Sequence, residues 1–495
     1  MCLYKRKTAM IRNGDAREHK MFINGRWVES SSGKKFDVRN PATGDLVALV
    51  PDGGAYDTSR AIDAAAKAFP LWAGLTPKER SAYLIRVRDL MLERQEELAK
   101  LVAIEEGKPI AEARIEMVYS AEFLNFFAEE CKRNTGEVIP SYIPNKRLLS
   151  IRQPVGVAGI ITIWNYPSAG ITRPLAPALG AGCTVVLKPA EQTPLSAIAV
   201  FELFEKAGLP PGVANLVTAL NPEVIGEELV SNPLVRKLSF TGSVEVGKQI
   251  MRGAADQLKR ITLELGGHAP FIVFDDADVE AAVHAAIKSK FQNTGQTCVA
   301  LNRIYVHESI LEPFTRRLTE LVKTLKMGNP LDETVQVGPL IDEEGLRKVE
   351  AHVEDALSKG AKLLIGGNRR MDNGFSKGFF FEPTVLSHVT HDMLVMREET
   401  FGPVAPVVAF KSEDEVLSLA NGSSYGLAAF FYTRDISRAM RIAEHLEYGV
   451  VGVNDFRFGA VNIPFGGVKQ SGYGKEGGRL GLEEFLETKL ISIGL

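Results

Sequence analysis

The stretch 155-VGVAGIITIWNYPSAGITRPLAPALGAGCTVVLKPAEQTP-194 decides the fold. Two short β-branched runs, Val157 to Ile163 and Thr184 to Leu187, bracket a longer stretch that reads as loop and helix. Strand, crossover and strand in this order make a right-handed β-α-β unit, the building block of a parallel sheet. The alternation continues outward through Ala214 to Val217, Lys237 to Thr241 and Arg260 to Leu265. A second series follows Cys298, with strands expected at Ile304 to His307, Val404 to Phe410, Leu427 to Thr433 and Val450 to Asn454. The fold class is therefore α/β, with two doubly wound domains in succession. Ahead of them, Ala61 to about Gly107 is helical, with Ile62, Ala65, Phe69, Trp72, Leu84, Val87, Met91 and Leu98 on its apolar face. Gly136 to Gln153 and Thr488 to Leu495 read as lone extended segments. Their backbone stays unpaired unless they join each other or another subunit, which favours an oligomer.

Composition narrows the function. The 495 residues carry 58 Lys plus Arg against 61 Asp plus Glu, a formal charge of −3, so no polybasic field exists for nucleic acid or an anionic membrane. An anionic partner must be a small molecule met by a few placed cations. With 45% hydrophobic and 24% charged residues the chain has ordinary globular proportions. Cys2, Cys131, Cys183 and Cys298 are too scattered for a disulfide scaffold or a CxxC metal site, which points to a reducing compartment and to no metal. The opening MCLYKRKTAM has no signal-peptide core, and the most apolar run, Val155 to Trp164, is too short to span a bilayer. A cytoplasmic location without a membrane partner is expected. Met21 to Val28 (MFINGRWV) reads as a strand start, leaving residues 1–20 as an expected disordered tail.

Phosphate-binding signals are weighed first, because doubly wound sheets so often carry nucleotides. Gly472, Gly474 and Gly477 have G-x-G-x-x-G spacing but follow Lys469-Gln470-Ser471 instead of a strand, so they read as a turn. Phe240-Thr241-Gly242-Ser243 is the better candidate, since a strand ends and a helix opens there. Gln249 stands where a Walker sequence needs Ser or Thr for magnesium, so an ATPase is improbable. A helix N-terminus able to meet a pyrophosphate remains, beside the plainer reading of a helix cap. Lys188 and Glu191 lie just past a strand, at the rim where ligands bind, or are merely solvated loop charges. With a dinucleotide present, Glu191 accepts the adenosine ribose hydroxyls and repels a 2′-phosphate, which predicts NAD over NADP.

Three further residues sit at strand or loop ends with acyl-transfer chemistry available to them. Cys298 follows the polar Asn293-Thr294-Gly295-Gln296-Thr297, a setting that suits a thiol of lowered pKa better than core filler. Glu264 lies between two leucines ahead of Gly266-Gly267, where a cleft would raise its pKa as a general base requires, although solvent-facing alternation is the commoner reason for such a Glu. Asn165, in Trp164-Asn165-Tyr166-Pro167, either caps the next helix or donates to a developing oxyanion.

Trp164 to Pro167, Lys188 to Glu191, Phe240 to Ser243, Glu264 to Gly267, Gly295 to Cys298, Glu399-Thr400-Phe401-Gly402-Pro403 and Pro464-Phe465-Gly466-Gly467 resemble, in order, the signature blocks of the aldehyde dehydrogenase superfamily. The resemblance covers nearly the whole chain from Met21 and is nearest to the succinate-semialdehyde dehydrogenase group. It implies Cys298 as nucleophile, Asn165 with the Cys298 N–H as oxyanion donors, and Glu264 as the base that activates water against a thioester. It implies cofactor contacts from Trp164, Lys188, Glu191, Gly242, Ser243, Glu399 and Phe401. It further implies an NAD-binding domain from 21–131 and 153–265, a catalytic domain from 266–465, and oligomerisation segments at 132–152 and 480–495 that build a homodimer or homotetramer.

Departures from the group bear on the substrate. Arg173 matches the Arg expected after the Asn-bearing block, and on a helix it lies about 12 Å from Asn165, placed to clamp a distal anion. A second expected Arg is Gln292, and an expected Ser before Pro464 is replaced by Gly459 and Ala460, with Arg457 nearby. The anion clamp is therefore rebuilt from Arg173 and, unless it is simply solvated, Arg457. A semialdehyde, or a sulfonated or phosphonated aldehyde, is the expected substrate. Ala300 stands where some relatives have a second Cys, so no disulfide switch at Cys298 is expected. The alternatives are a CoA-acylating dehydrogenase and a non-catalytic structural protein of the same fold. Glu264 speaks against the first, and intact Cys298, Glu264 and Asn165 against the second.

Overall fold

Residues 17–495, apart from 373 and 458, are described in the computed structural model. Five parallel strands, Val157–Ile161, Thr184–Lys188, Ala214–Leu216, Val235–Gly242 and Arg260–Leu265, form the centre of an eight-stranded sheet. Their residues are buried almost without interruption, as strands covered on both faces must be. From Val157–Ile161 the chain steps outward to Thr184–Lys188 and Ala214–Leu216, then returns to build the opposite side. The reversal lies between Val157–Ile161 and Val235–Gly242. Loops leaving the carboxyl ends there diverge and open a crevice, the usual ligand position in such sheets. The edges are antiparallel. Met21–Ile23 turns into Arg26–Val28 through Asn24 and Gly25, whose φ values of 52° and 71° suit a tight hairpin. On the far edge Gly472–Tyr473 pairs with Leu263 and Glu264.

Only Gly266, Gly267 and His268 separate Arg260–Leu265 from Ala269–Val273, a strand of a second, seven-stranded sheet. That sheet runs in the order 362–365, 384–387, 404–410, 301–307, 269–273, 428–432, 450–453, and every pair but the first is parallel. Ala269–Val273 carries Pro270, which removes a ladder donor. The sheet absorbs the proline at a register shift between Ala269 and Pro270.

Helix Ala55–Gly74 packs on the first sheet, while Pro77–Glu93, Gln95–Glu105 and Ile110–Glu130 pack on one another and on helices Ala169–Ala181 and Pro194–Lys206. A capping box starts the second. Thr76 Oγ1 accepts from Glu79 N at 3.3 Å while Thr76 N donates to Glu79 Oε2 at 2.8 Å, with Pro77 at the first helical position. Trp72 is fully buried and its Nε1 donates to Leu179 O at 3.1 Å, tying this layer to helix Ala169–Ala181. Helix Ile110–Glu130 escapes sequence periodicity because it buries Glu116 and Ser120 among its apolar residues.

The two extended segments pair with each other. Leu486–Gly494 runs antiparallel to Lys146–Pro154 along its whole 9-residue length, and Glu137–Ile139 adds a third strand. Val138, Tyr142, Ile143 and Leu490 leave an exposed apolar surface on this arm. Of the tail expected at 1–20, residues 1–16 lie outside the described residues. Arg17 and Glu18 correct the remainder, since they pair in parallel with Ala48 and Leu49. Among the described residues no helix is long and apolar enough to cross a membrane.

Candidate active site

Neighbouring strands deliver the candidate groups to the crevice. Asn165 follows Val157–Ile161, Gly242 and Ser243 close Val235–Gly242, and Glu264 lies one residue before the end of Arg260–Leu265, in register with Thr241. Asn165 is 3% exposed, and its Nδ2 donates to Gln296 O at 2.9 Å. Its backbone oxygen accepts from Lys108 Nζ at 2.7 Å and from Asn293 Nδ2 at 3.1 Å. The following helix is capped by a different residue: Glu116 Oε1 accepts from Ser168 N at 2.8 Å and Ala169 N at 3.2 Å. Asn165 is thus no helix cap, and its amide is turned to the Cys298 loop.

Lys188, 2% exposed, donates to Glu191 Oε2 at 2.8 Å at the end of its strand. Ser243 Oγ accepts from Val246 N at 3.3 Å and so caps helix Val244–Ala255. A Cβ on Gly242 would run into the Phe240 ring, so any larger residue at the strand-to-helix turn would have to displace that ring. The amides of the first turn, which have no intrahelical acceptor, remain available to an anion.

Cys298 arrives from the second sheet, in the loop before Leu301–His307. Asn293, Thr294 and Gly295 have successive φ values of 48°, 57° and 78°, and left-handed backbone costs a non-glycine residue on the order of 1 kcal/mol or more. Buried groups hold this turn. Asn293 N donates to Glu112 Oε2 at 2.8 Å, Asn293 Nδ2 to Glu106 Oε1 at 2.8 Å, and Thr294 Oγ1 to Gly338 O at 3.1 Å. Gly295 lies so close to Gly402 O that no Cβ fits.

Glu264 is 2% exposed, and burial pushes its carboxyl up to about 8, with the Arg173 cation pulling down and the Glu476 charge pushing up. The half-buried Cys298 thiol lies beside Glu264, close enough for each to shift the other's proton affinity. Its pKa is held well above the ordinary thiol range, first by burial, then by Glu264 and Glu399 against the pull of Arg173. This corrects the lowered pKa expected from the polar approach: the left-handed turn carries the sulfur into an acid-lined interior instead of an electropositive mouth. A thiol so placed needs a base, and Glu264 is within reach of one proton at a time.

The Gly266-Gly267 link makes the approach of the two sheets possible. A Cβ on Gly266 would lie 2.6 Å from Glu399 Oε2, and one on Gly267 would overlap Cys298 O. Glu399 Oε1 accepts from Gly267 N at 2.9 Å, and burial pushes the Glu399 carboxyl up to about 7. Phe401, with φ 54°, meets the Trp164 ring edge-on at 5.4 Å.

Arg173 is not a free cation. Its Nε lies 2.6 Å from Glu476 Oε2, an ion pair without hydrogen-bond alignment, its NH2 lies 3.8 Å from Glu264 Oε2, and the guanidinium sits 5.0 Å above the Phe465 ring. Glu476 has no signal in sequence; the paired backbones of Phe465 and Glu476 bring it here. Arg457 is exposed, with its guanidinium 5.3 Å from the Phe456 ring centre and its N donating to Asp455 Oδ1 at 3.0 Å.

The profile of the aldehyde dehydrogenase family matches residues 27–491, and the chain belongs to that family. It is an aldehyde dehydrogenase, an oxidoreductase using a nicotinamide cofactor on a small aldehyde. A glutarate-semialdehyde dehydrogenase of Pseudomonas aeruginosa is 51% identical over 473 residues, 96% of this chain and 97% of that protein. A succinate-semialdehyde dehydrogenase [NADP(+)] of Escherichia coli is 51% identical over 473 residues, with 96% and 97% covered. A 3-sulfolactaldehyde dehydrogenase of Pseudomonas putida is 52% identical over 473 residues, with 96% of each chain covered. Among solved structures, an E. coli NADP-dependent enzyme superposes with a TM-score of 0.95 at 50% identity, covering 97% of this chain and 98% of its own. Betaine aldehyde dehydrogenase of Staphylococcus aureus in complex with NAD+ superposes with a TM-score of 0.94 at 39% identity, covering 96% and 94%.

Proposed function

We propose that the protein oxidises a short aldehyde bearing a distal anion, foremost a semialdehyde, to its carboxylate with NAD through a thioester on Cys298. The observation that carries this reading is the meeting of Cys298, Glu264 and the Asn165–Gln296 contact at the seam of the two sheets. The crevice residues fit a dinucleotide: a carboxylate at Glu191, a helix N-terminus at Ser243 and a second carboxylate at Glu399 suit two riboses and the pyrophosphate between them. The nicotinamide supplies the acceptor for the hydrogen and electron pair that leave the former aldehyde carbon.

Glu264 takes the Cys298 proton, and the sulfur adds to the aldehyde carbon. Asn165 Nδ2 and the Cys298 N–H stabilise the oxygen of the tetrahedral adduct. When the adduct has collapsed to the thioester and Glu264 has given up the first proton to solvent, its carboxylate removes a proton from water; the water oxygen attacks the acyl carbon, the carbon–sulfur bond breaks, the carboxylate is released and the sulfur takes a proton back as thiol. Transfer to CoA has no need of this water-activating carboxylate. The exposed apolar arm surface supports a homodimer or homotetramer.

Glu191 favours NAD, because its carboxylate occupies the rim and engages Lys188. One of these relatives and one solved neighbour are named for NADP, so the preference rests on this pair alone. Glu191→Ser removes the repelling charge and frees Lys188 for a 2′-phosphate. The ratio of kcat/KM for NADP over NAD is expected to rise at least about tenfold, equivalent to ~1.4 kcal/mol. An unchanged ratio sinks the assignment.

Arg173 remains the cation nearest the reacting groups, although Glu476 already matches its charge. Arg173→Ala is expected to raise KM for anionic aldehydes more than for neutral ones. It also removes the charge that lowers the Glu264 pKa, so the rate, which needs ionised Glu264, should climb at higher pH than in the wild type. Equal KM effects on charged and neutral aldehydes would remove the anion clamp. The function itself is tested by comparing kcat/KM on succinate semialdehyde, glutarate semialdehyde, a sulfonated aldehyde and a plain aliphatic aldehyde. A preference for the aliphatic compound overturns the anion reading.

A further inference from the structure

One sharp bend in the chain reaches all parts of the seam. Helix Gln95–Glu105 ends, Gly107 takes φ 91°, and helix Ile110–Glu130 begins, so that Glu105, Glu106, Lys108, Glu112 and Glu116 project from one corner. Glu105 accepts from Leu195 N at 2.8 Å and Ser196 N at 2.7 Å, capping the helix that follows Glu191. Lys108 Nζ, itself 2.5 Å from Glu116 Oε2, holds the Asn165 carbonyl. Glu106 and Glu112 hold the side chain and the backbone of Asn293, the first left-handed residue of the Cys298 loop. The Asn293 amide then reaches back to Asn165 O at 3.1 Å and Gln296 O at 3.3 Å.

We propose that Glu106 is a positioning residue that acts through Asn293 to set the Cys298 loop against Asn165. Asn293 Nδ2 sits between Glu106, Asn165 and Gln296, so its orientation links the oxyanion amide to the turn that carries the sulfur. Glu106 Oε1 is the side-chain acceptor that aims it, while Glu106 Oε2 is buried without a hydrogen bond. Two left-handed non-glycine residues keep their backbone only where surrounding contacts over-determine it, and this contact is one of the few that grips a side chain of the turn. Burial pushes the Glu106 carboxyl up to about 8, with Lys108 and Asn293 pulling down, so near neutral pH a protonated acid or an amide can serve equally as acceptor. The proposal rests on the reading of Cys298 as the nucleophile.

The test is a pre-steady-state burst of NADH in Glu106→Ala, Glu106→Gln and Asn293→Ala, with NAD dissociation constants and thermal midpoints measured in parallel. Glu106→Ala is expected to slow the burst about 100-fold, the scale of a misplaced reacting group, while NAD affinity and KM for the aldehyde stay within threefold. Glu106→Gln keeps an acceptor at Oε1 and is expected to burst within about fivefold of wild type. Asn293→Ala should match Glu106→Ala, and the double variant should be no slower than either single one. A burst within threefold of wild type in Glu106→Ala overturns the proposal, as does an equal loss in Ala and Gln. If Glu106→Ala fails to fold, an unchanged burst in Asn293→Ala overturns it. Failure of the nucleophile reading is told apart by Cys298→Ala, which would then keep its burst whatever occupies position 106.

Discussion

Cys298→Ala is expected to leave a folded protein with intact cofactor affinity and to lower kcat/KM for aldehyde oxidation by at least about 10⁴-fold. The folded state should survive because the loop is held by Asn293, Thr294 and Gln296 and not by the sulfur. Gln296 alone donates to Asn293 O at 3.1 Å and accepts from Ile341 N at 2.9 Å. Lys188, Glu191 and Ser243, the residues proposed to hold the cofactor, lie at strand ends of the other sheet and do not depend on the thiol. The measurement is NADH formation on several aldehydes together with NAD binding by titration calorimetry. Residual turnover within a factor of ten of wild type would assign the chemistry to another group.

Glu264→Gln should separate the two halves of the reaction. The amide cannot take a proton from water, so steady-state turnover should fall by about 10²- to 10⁴-fold, the usual worth of a placed base. The thiol also loses its nearby proton acceptor, but at alkaline pH it ionises unaided and still forms one thioester per site. A single-turnover burst of NADH followed by a stall is therefore expected, with the acyl group recoverable on Cys298 by acid quench and mass spectrometry. The pH dependence carries the same signature. In the wild type the rate should rise as Glu264 loses its proton around pH 8, where burial has placed its pKa, and the Gln variant should lose that limb. Steady-state turnover within a few fold of wild type would leave Glu264 without its assigned task.

How far the sequence could be read depended on whether a residue's partner lies near it in the chain. Arg260–Leu265 and Val404–Phe410 are found at their expected limits, the first because its apolar residues alternate with polar ones, the second because a buried parallel strand is a nearly continuous apolar run. Glu264, Cys298 and Asn165 stand out through their local surroundings: an acid among leucines, a thiol after a polar loop, an amide at a strand end. Their convergence, and the charge that each feels, is set by partners far along the chain. Arg173 reads as an available cation until Glu476 is found beside it, and Cys298 as an acidic thiol until burial and two carboxylates surround it. Glu106, Glu112 and Lys108 are invisible for the same reason, since buried acids in a helical pattern look like any solvated face until the fold closes over them.

The bare glycine link between the sheets sets the terms for redesigning this protein. Substitution at Gly266 or Gly267 would drive a methyl group into Glu399 or the Cys298 carbonyl, so the floor beneath the reacting groups offers no mutable positions. Arg457, Gly459 and Ala460 on the outer loop, by contrast, are exposed and contribute nothing to either sheet. Variant libraries that spare the link and draw on exposed positions such as these keep diversity and integrity from competing.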